Sequence, residues 1–212
     1  MMRFLLLLVA SFSLHSALPV THLYFGKMWR ESDPHFLAGV LFPDIRYIAA
    51  IPRETTHPSP LPLEAIAAMP NLFEQGVQLH VWVDTYRDDL VQECGLDHRF
   101  RGPLLKLLED EIFYDQTNTL DAIAALQEIY EEELLFEINR DTVQQWHQML
   151  TRYLKVRPSV FLKELASKGK GFFSATPEEV QEWSQHLTEW AQLPEIQAYV
   201  QQLTYRFQHE LP

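Results

Sequence analysis

The chain has 212 residues, of which 47% are hydrophobic and 22% are charged, and its formal net charge is −12. This length and composition are typical of one globular domain that can bury its core without disulfides. Because the net charge is negative, the overall electric field of the protein does not attract a nucleic-acid backbone or an anionic bilayer. Binding to either partner through overall charge is therefore excluded. Because Cys94 is the one cysteine, an intrachain disulfide and a cysteine metal cluster are also excluded.

The start of the chain has the layout of a secretory signal peptide. Arg3 precedes a short apolar run, and small residues follow it up to Ala17. The apolar run is shorter than the ~20 residues that span a bilayer. We therefore expect a secreted or periplasmic protein in which residues 1–17 are removed and residues 18–212 form one domain without stable membrane insertion. An uncleaved N-terminal helix of a cytoplasmic protein is the alternative.

Apolar spacing predicts an all-α fold of eight or nine helices, and no strand pattern of any length is present. In the first part of the chain we expect two of these helices, over residues 20–30 and 34–42. Two shorter segments follow: residues 45–51, for which helix is favoured over strand, and a short helix over residues 63–69. Asn71 then caps a long helix that ends near Cys94. Pro43 ends the second helix, and four prolines within residues 52–62 predict a loop.

The second part of the chain is also predicted to be helical. The expected spans are residues 103–112, 120–138, 141–156, 159–168, 177–192 and 194–210. The strongest helix start is at Thr176, which can cap, followed by Pro177 at the first position and by Glu179, which can reach back to the cap. We divide the domain into a metal-site half, residues 18–95, and a helical scaffold, residues 96–212.

His80 and Asp84 are four residues apart on the predicted long helix. Their side chains therefore lie on one face, about 6 Å apart along the axis, where they can share one metal ion. The alternative is a hydrogen-bonded pair without a metal. Gly76 lies one turn before His80, where the missing side chain would let another segment approach closely.

Asp44, His57 and His22 are the other candidate ligands. Asp44 lies between apolar residues, and a buried carboxylate needs a partner or a metal; its alternative role is a helix cap. His57 lies in the proline-rich loop, where solvent exposure is the alternative. His22 lies upstream, in the first turn of the first predicted helix.

The order and spacing of these residues resemble the bacterial zinc-dependent phospholipase C family, whose all-helical fold is shared by fungal-type nucleases. The resemblance covers about residues 20–90 and rests on Thr21-His22, Gly39-Val40-Leu41-Phe42-Pro43-Asp44-Ile45-Arg46-Tyr47, Arg53-x-x-Thr56-His57 and Phe73-x-x-Gly76-x-x-x-His80-x-x-x-Asp84. It implies that Asp44, His57, His80 and Asp84 hold one zinc ion. It also implies that His22 and Asp84 hold a second, together with the amino group of the mature N-terminus.

The number of zinc ions implied is one or two, because the chain departs from the family pattern. The family's third zinc uses a further histidine and a His-x-x-x-Glu pair, and no histidine after Asp84 begins such a pair. Carboxylates among residues 106–115 are possible substitutes, because clustered acids repel one another unless a cation lies among them. The alternative is a solvated acidic helix face.

The function expected from these features is an exported zinc-dependent phosphoesterase that acts on a phospholipid head group or another phosphate ester. Zinc would lower the pKa of a bound water, and Asp44 would be the general base. Arg46 and Arg53 would bind phosphate oxygens, with ion pairing to acids such as Glu54 as their alternative. The alternative function is a non-catalytic exported helical protein with a structural or vestigial metal site.

Overall fold

The computed structural model describes residues 17–30, 33–172 and 174–210. Within these ranges the chain forms thirteen α-helices and no strand, which confirms the all-α prediction. The number exceeds the eight or nine predicted because five of the helices have only four to six residues. None of the described helices combines the length and apolarity needed to cross a membrane. The predicted signal peptide, apart from Ala17, lies outside the described residues.

Six helices make up the metal-site half. They are α1 (Pro19–Trp29), α2 (Pro34–Leu41), α3 (Arg46–Ala49), α4 (Arg53–Thr56), α5 (Leu63–Ala67) and α6 (Leu72–Glu93). The side chain of Asn71 caps α6 as predicted, by accepting a hydrogen bond from the N–H of Glu74. A short 3-10 helix, Pro43–Ile45, joins α2 to α3.

The segment of residues 52–62, predicted as a loop, contains the single helical turn α4. This difference has a local cause, since Pro52 immediately precedes the turn and adopts the φ of −59° that its ring requires. The turn cannot continue past His57, because the next residue is Pro58 and a residue before proline is kept out of the helical region. His57 is therefore held at a helix end rather than on a free loop.

Seven helices make up the scaffold half. They are α7 (Pro103–Phe113), α8 (Leu120–Ala125), α9 (Glu131–Leu134), α10 (Arg140–Leu154), α11 (Pro158–Ser167), α12 (Pro177–Trp190) and α13 (Pro194–Glu210). The capping box predicted at the start of α12 is present: the Thr176 side chain accepts from the N–H of Glu179, and the Glu179 side chain accepts from the N–H of Thr176.

One long helix over residues 120–138 was expected, and this prediction is wrong. Tyr130 interrupts the helix because its side chain turns into the core, where it is 8% exposed. Its hydroxyl donates to the carbonyl of Ala125, at the end of α8, over 3.2 Å. Its N–H donates to the side chain of Glu133, in α9, over 2.9 Å. These two hydrogen bonds satisfy backbone groups at the break and make two short helices stable.

Helices α2 and α6 cross in direct backbone contact at two glycines. A Cβ atom on Gly39 would lie 2.1 Å from the carbonyl oxygen of Phe73, and one on Gly76 would lie 2.3 Å from that of Phe36. No other residue fits at such distances, so the close approach predicted at Gly76 is confirmed. The crossing brings the backbone of α2 onto the face of α6 that carries His80.

The acidic residues of α7 are buried, so the alternative of a solvated acidic face is wrong for this helix. Glu109, Asp110 and Glu111 are each at most 2% exposed. Asp110 accepts hydrogen bonds from the N–H groups of Val20 and Thr21, over 3.1 and 2.7 Å, and so caps the start of α1. This contact fixes the helix turn that carries His22.

The other two buried carboxylates of α7 also have protein partners. Glu109 accepts hydrogen bonds from the Arg87 guanidinium over 2.7 and 2.8 Å and from the Tyr199 hydroxyl over 2.7 Å. Glu111 accepts from the N–H of Ser159, at the start of α11, over 2.9 Å. These acids join helices, and none belongs to a described group of side chains placed to hold a metal ion.

Candidate metal centre

Five side chains selected from the sequence converge in the structure. They are His22 from α1, Asp44 from the 3-10 helix, His57 from the end of α4, and His80 and Asp84 from α6. They form two overlapping groups whose ligand atoms lie within 4.8 Å of one another: His22, His80 and Asp84, and Asp44, His57 and His80. The histidines and Asp84 are at most 8% exposed. The protein therefore has buried His/Asp groups that could hold a metal ion.

Asp84 faces all three imidazoles of the cluster. Its Oδ1 lies 3.3 Å from Nε2 of His22, and its Oδ2 lies 3.7 Å from Nε2 of His57 and 3.6 Å from Nε2 of His80. Two ligand atoms that each lie ~2.1 Å from a tetrahedral ion are ~3.4 Å apart. The observed separations of 3.3 to 3.7 Å are close to this distance, so the two oxygens of Asp84 could share a metal ion with these imidazoles.

The ring of His80 is oriented by the backbone of α2. Its Nδ1 lies 2.9 Å from the carbonyl oxygen of Val40. A carbonyl only accepts, so Nδ1 carries the proton and the Nε2 lone pair faces Asp84. A histidine ligand held by a carbonyl in this way is common at metal sites. The contact depends on the crossing of α2 and α6 at Gly39 and Gly76.

The ring of His57 is oriented by a threonine. Its Nδ1 lies 3.0 Å from the Thr56 hydroxyl, which itself donates to the carbonyl of Pro43 over 2.8 Å. The hydroxyl proton is thus committed to Pro43, so Thr56 accepts from Nδ1–H of His57. His57 is 8% exposed, which rules out the alternative of a solvent-exposed histidine.

The Nε2 atoms of His57 and His80 are buried and have no hydrogen-bond partner among the described residues. Leaving a buried acceptor unsatisfied costs about 1–3 kcal/mol. A cation placed between these nitrogens and the neighbouring carboxylates would satisfy both lone pairs. The geometry thus favours metal binding over a simple His–Asp hydrogen bond.

The N-terminal end of the described chain reaches the same carboxylate. The backbone nitrogen of Ala17 donates to Oδ1 of Asp84 over 2.8 Å, and this is the oxygen that faces His22. His22 also stacks on His80, with ring centroids 3.7 Å apart. Ala17 and His22 therefore meet the same oxygen of Asp84, whereas His57 and His80 face its other oxygen.

The local electrostatics keep the site in the protonation states that metal ligands need. Burial and the neighbouring Asp84 raise the pKa of Asp44 to about 6. Burial and Arg53 lower the pKa of His57 to about 3, and burial and His22 lower the pKa of His80 well below its usual value. Burial opposes the ionisation of Asp84, but His80, His22 and the N–H of Ala17 hold its pKa well below its usual range.

Arg46 and Arg53 are half-buried residues beside the cluster. A guanidinium nitrogen of Arg53 lies 3.4 Å from Oδ2 of Asp84. Arg46 donates to the hydroxyl of Tyr47, and its guanidinium carbon lies 3.9 Å from the centre of that ring. In the described part of the chain neither arginine forms the expected alternative ion pair with Glu54.

Three residues near the site have contacts that were not predicted from the sequence. Thr56 orients His57, Tyr47 contacts Arg46, and Lys106 of α7 is 4% exposed with Asp44 and Asp84 among its neighbouring acids. Burial and Arg87 lower the pKa of Lys106 to about 8, so the side chain remains cationic at neutral pH. The repeated Thr-His dipeptide at residues 21–22 and 56–57 was a signal for Thr56.

Comparisons of the chain with protein-family models, with curated proteins and with solved structures each found no match.

Proposed function

We propose that the protein is an exported zinc-dependent phosphoric ester hydrolase. The observation that carries the proposal is the pair of buried Nε2 atoms of His57 and His80, which have no hydrogen-bond partner among the described residues. Both atoms face Asp84, and that of His57 also faces Asp44. The half-buried Arg46 and Arg53 beside the cluster add two cations suited to phosphate oxygens. The resemblance of residues 20–90 to zinc-dependent phospholipase C supports the same reaction.

The donor set favours zinc over calcium and magnesium. Imidazole nitrogens with carboxylate oxygens suit zinc, whereas calcium and magnesium prefer oxygen ligands alone. Asp44, His57, His80 and Asp84 would hold one ion. His22 and Asp84 would hold a second, together with the amino group of the mature N-terminus.

The side chains around the site have separate roles in the proposed hydrolysis. A bound zinc ion would supply Lewis acidity and a water of lowered pKa. Asp44 would take the proton of the attacking water, because it is the most exposed of the ligands and burial raises its pKa to about 6, near the working pH of a general base. Arg46 and Arg53 would hold and orient the phosphoryl oxygens.

A structural metal site is the second candidate function. The observation that favours it is the burial of His22, His80 and Asp84, each 1% exposed, because a structural zinc site is closed by protein ligands. An assay separates the two functions. A phosphomonoesterase and phosphodiesterase screen of the zinc-loaded wild-type protein should give metal-dependent hydrolysis if the site is catalytic. Zinc binding without hydrolysis across a broad panel would favour the structural site.

His80→Ala should abolish phosphoesterase activity while the helix content survives. The substitution removes a ligand common to both groups of the centre. Activity and circular dichroism should be measured together, with His98→Ala as the control because the His98 side chain is 94% exposed. Full activity in His80→Ala would show that the centre is not the catalytic site.

Zinc affinity should fall about tenfold per pH unit below about pH 6. Asp44 is the reason: its pKa is raised to about 6, so at lower pH a proton competes with the ion for this carboxylate. His57, with a pKa lowered to about 3, is already neutral throughout this range and adds no competing proton. Competition titrations against a zinc chelator from pH 5 to pH 7 measure the slope, and Asp44→Asn should flatten it. A slope centred well above pH 6.5 and retained in Asp44→Asn would point to histidine protonation instead.

A further inference from the structure

A polar cleft of about 550 Å³ lies along α10, and its lining includes none of the five side chains of the metal centre. This volume is within the ~300–1,000 Å³ of small-molecule sites. The end of α8 contributes Leu126 to the lining, and α11 contributes Glu164. One face of α10 forms a wall of the cleft, because residues three and four apart along a helix share a face. The residues of this wall are Gln144, His147, Gln148, Thr151, Arg152 and Lys155.

His147 is held in this wall by a buried carboxylate. Its Nε2 lies 2.7 Å from Oε1 of Glu133, whose Oε2 accepts a hydrogen bond from the N–H of Tyr130 over 2.9 Å. Glu133 is 1% exposed and His147 is 4% exposed. Because a carboxylate accepts, Nε2 carries the proton of this contact. With both carboxylate oxygens engaged, the imidazole is fixed in one orientation.

The other ring nitrogen of His147 is left for a molecule in the cleft. Nδ1 has no hydrogen-bond partner among the described residues and is not fully buried, so it faces the cleft that the residue lines. A hydroxyl group suits this atom, because a hydroxyl both donates and accepts and can pair with Nδ1 in either protonation state. The amides of Gln144 and Gln148 and the hydroxyl of Thr151 add further hydrogen-bonding groups.

The far end of the same wall is cationic. Arg152 and Lys155 are exposed, and they lie about 8 and 12 Å beyond His147 along the axis of α10, at 1.5 Å per residue. Among the described residues Glu164 is the one acid that lines the cleft. It contacts Arg152 but also Lys168, so one carboxylate is shared by two cations. This end of the cleft is therefore positive, in a chain whose net charge is −12.

We propose that this cleft binds a small organic anion that also carries hydroxyl groups, such as a sugar acid or a sugar phosphate. The anionic group lies against Arg152 and Lys155, and a hydroxyl group one to two helix turns away pairs with Nδ1 of His147. Arginine suits both kinds of anion, because its guanidinium binds a carboxylate or a phosphate through two parallel N–H groups. The cleft is separate from the metal centre, so this inference does not depend on the proposed function.

Calorimetry of the full chain with glucuronate, glucose 6-phosphate, glucose and acetate tests the site. The protein is first treated with a chelator, so that a bound metal ion does not hold the probes. At least one sugar anion should bind about tenfold or more tightly than glucose, which lacks the anion, and than acetate, which lacks the hydroxyl groups. A hydrogen bond to a charged group is worth about this factor. The tighter of the two sugar anions identifies the preferred anionic group. If neither binds more tightly than glucose, or if no probe binds, the inference is wrong.

Two substitutions show whether the sugar anion binds in this cleft. Arg152→Gln should weaken its binding by about tenfold or more, whereas Lys163→Gln, an exposed position of α11 outside the cleft, should leave it unchanged. His147→Gln keeps an N–H for Glu133 but removes Nδ1, so it should also weaken binding. Wild-type affinity in Arg152→Gln, or in a folded His147→Gln, would overturn the inference. Circular dichroism checks folding, and Arg152→Gln decides the matter if His147→Gln does not fold.

Discussion

Asp84→Asn is expected to weaken zinc binding by at least about 100-fold. Loss of a group that only orients a ligand costs roughly 10–100-fold in metal affinity, and Asp84 is itself the carboxylate nearest all three imidazoles. The amide has almost the same shape but lacks the negative charge that zinc requires. The loss should therefore come from the missing charge and not from a disturbed fold.

The measurement is a competition titration of purified protein against a zinc chelator. Asp89→Asn is the matched control, since Asp89 lies on the same helix but is exposed. It should bind zinc as the wild type does. If Asp84→Asn retains the affinity of the wild type and of Asp89→Asn, then Asp84 is not a ligand and the ion, if any, lies elsewhere.

Gly76→Ala is expected to destabilise the fold by about 3 kcal/mol or more. A methyl group at this position would lie 2.3 Å from the carbonyl oxygen of Phe36 and 2.6 Å from the nitrogen of Val40. Because these are backbone atoms, α2 and α6 must separate to admit it, and overpacking of this kind lies at the upper end of measured costs. Separation would also pull the Val40 carbonyl away from His80, so zinc affinity should fall with stability.

Urea unfolding followed by circular dichroism measures this effect, and Gly26→Ala provides the control. A methyl group on Gly26 would lie 3.4 Å from a methyl of Val40, which is a tolerable contact, and alanine is favoured over glycine within a helix by ~1 kcal/mol. Gly26→Ala should therefore stay within about 1 kcal/mol of the wild type. A Gly76→Ala protein as stable as Gly26→Ala would mean that the helices do not meet at backbone distance.

Local features of the sequence predicted most of the helices. Asn71 and Thr176 mark helix starts through side-chain caps, and each cap depends only on residues within one turn. Gly76 also revealed a close helix contact, although its partner α2 could not be identified from spacing alone. The break at Tyr130 was missed because it depends on a side chain entering the core, while the apolar pattern continues across it.

The sequence predicted the residues that could bind a metal ion, but it did not predict the contacts that bury and orient them. His80 and Asp84 follow from helical spacing, but the burial of His57 depends on Thr56 and on the carbonyl of Pro43, which the fold brings together from another segment. The burial of Asp110 was equally hidden, since it depends on α7 meeting the start of α1. Charged residues buried through such contacts look, in sequence, like an exposed acidic face.

Anomalous diffraction at the zinc edge, from crystals of the zinc-loaded protein, shows whether a metal ion binds among these five side chains. We expect a peak about 2.0–2.2 Å from Nε2 of both His57 and His80, with Asp44 and Asp84 also in contact. A second peak between His22 and Asp84 would correspond to the second ion. If no peak lies at these nitrogens under excess zinc, the five side chains do not form a metal centre.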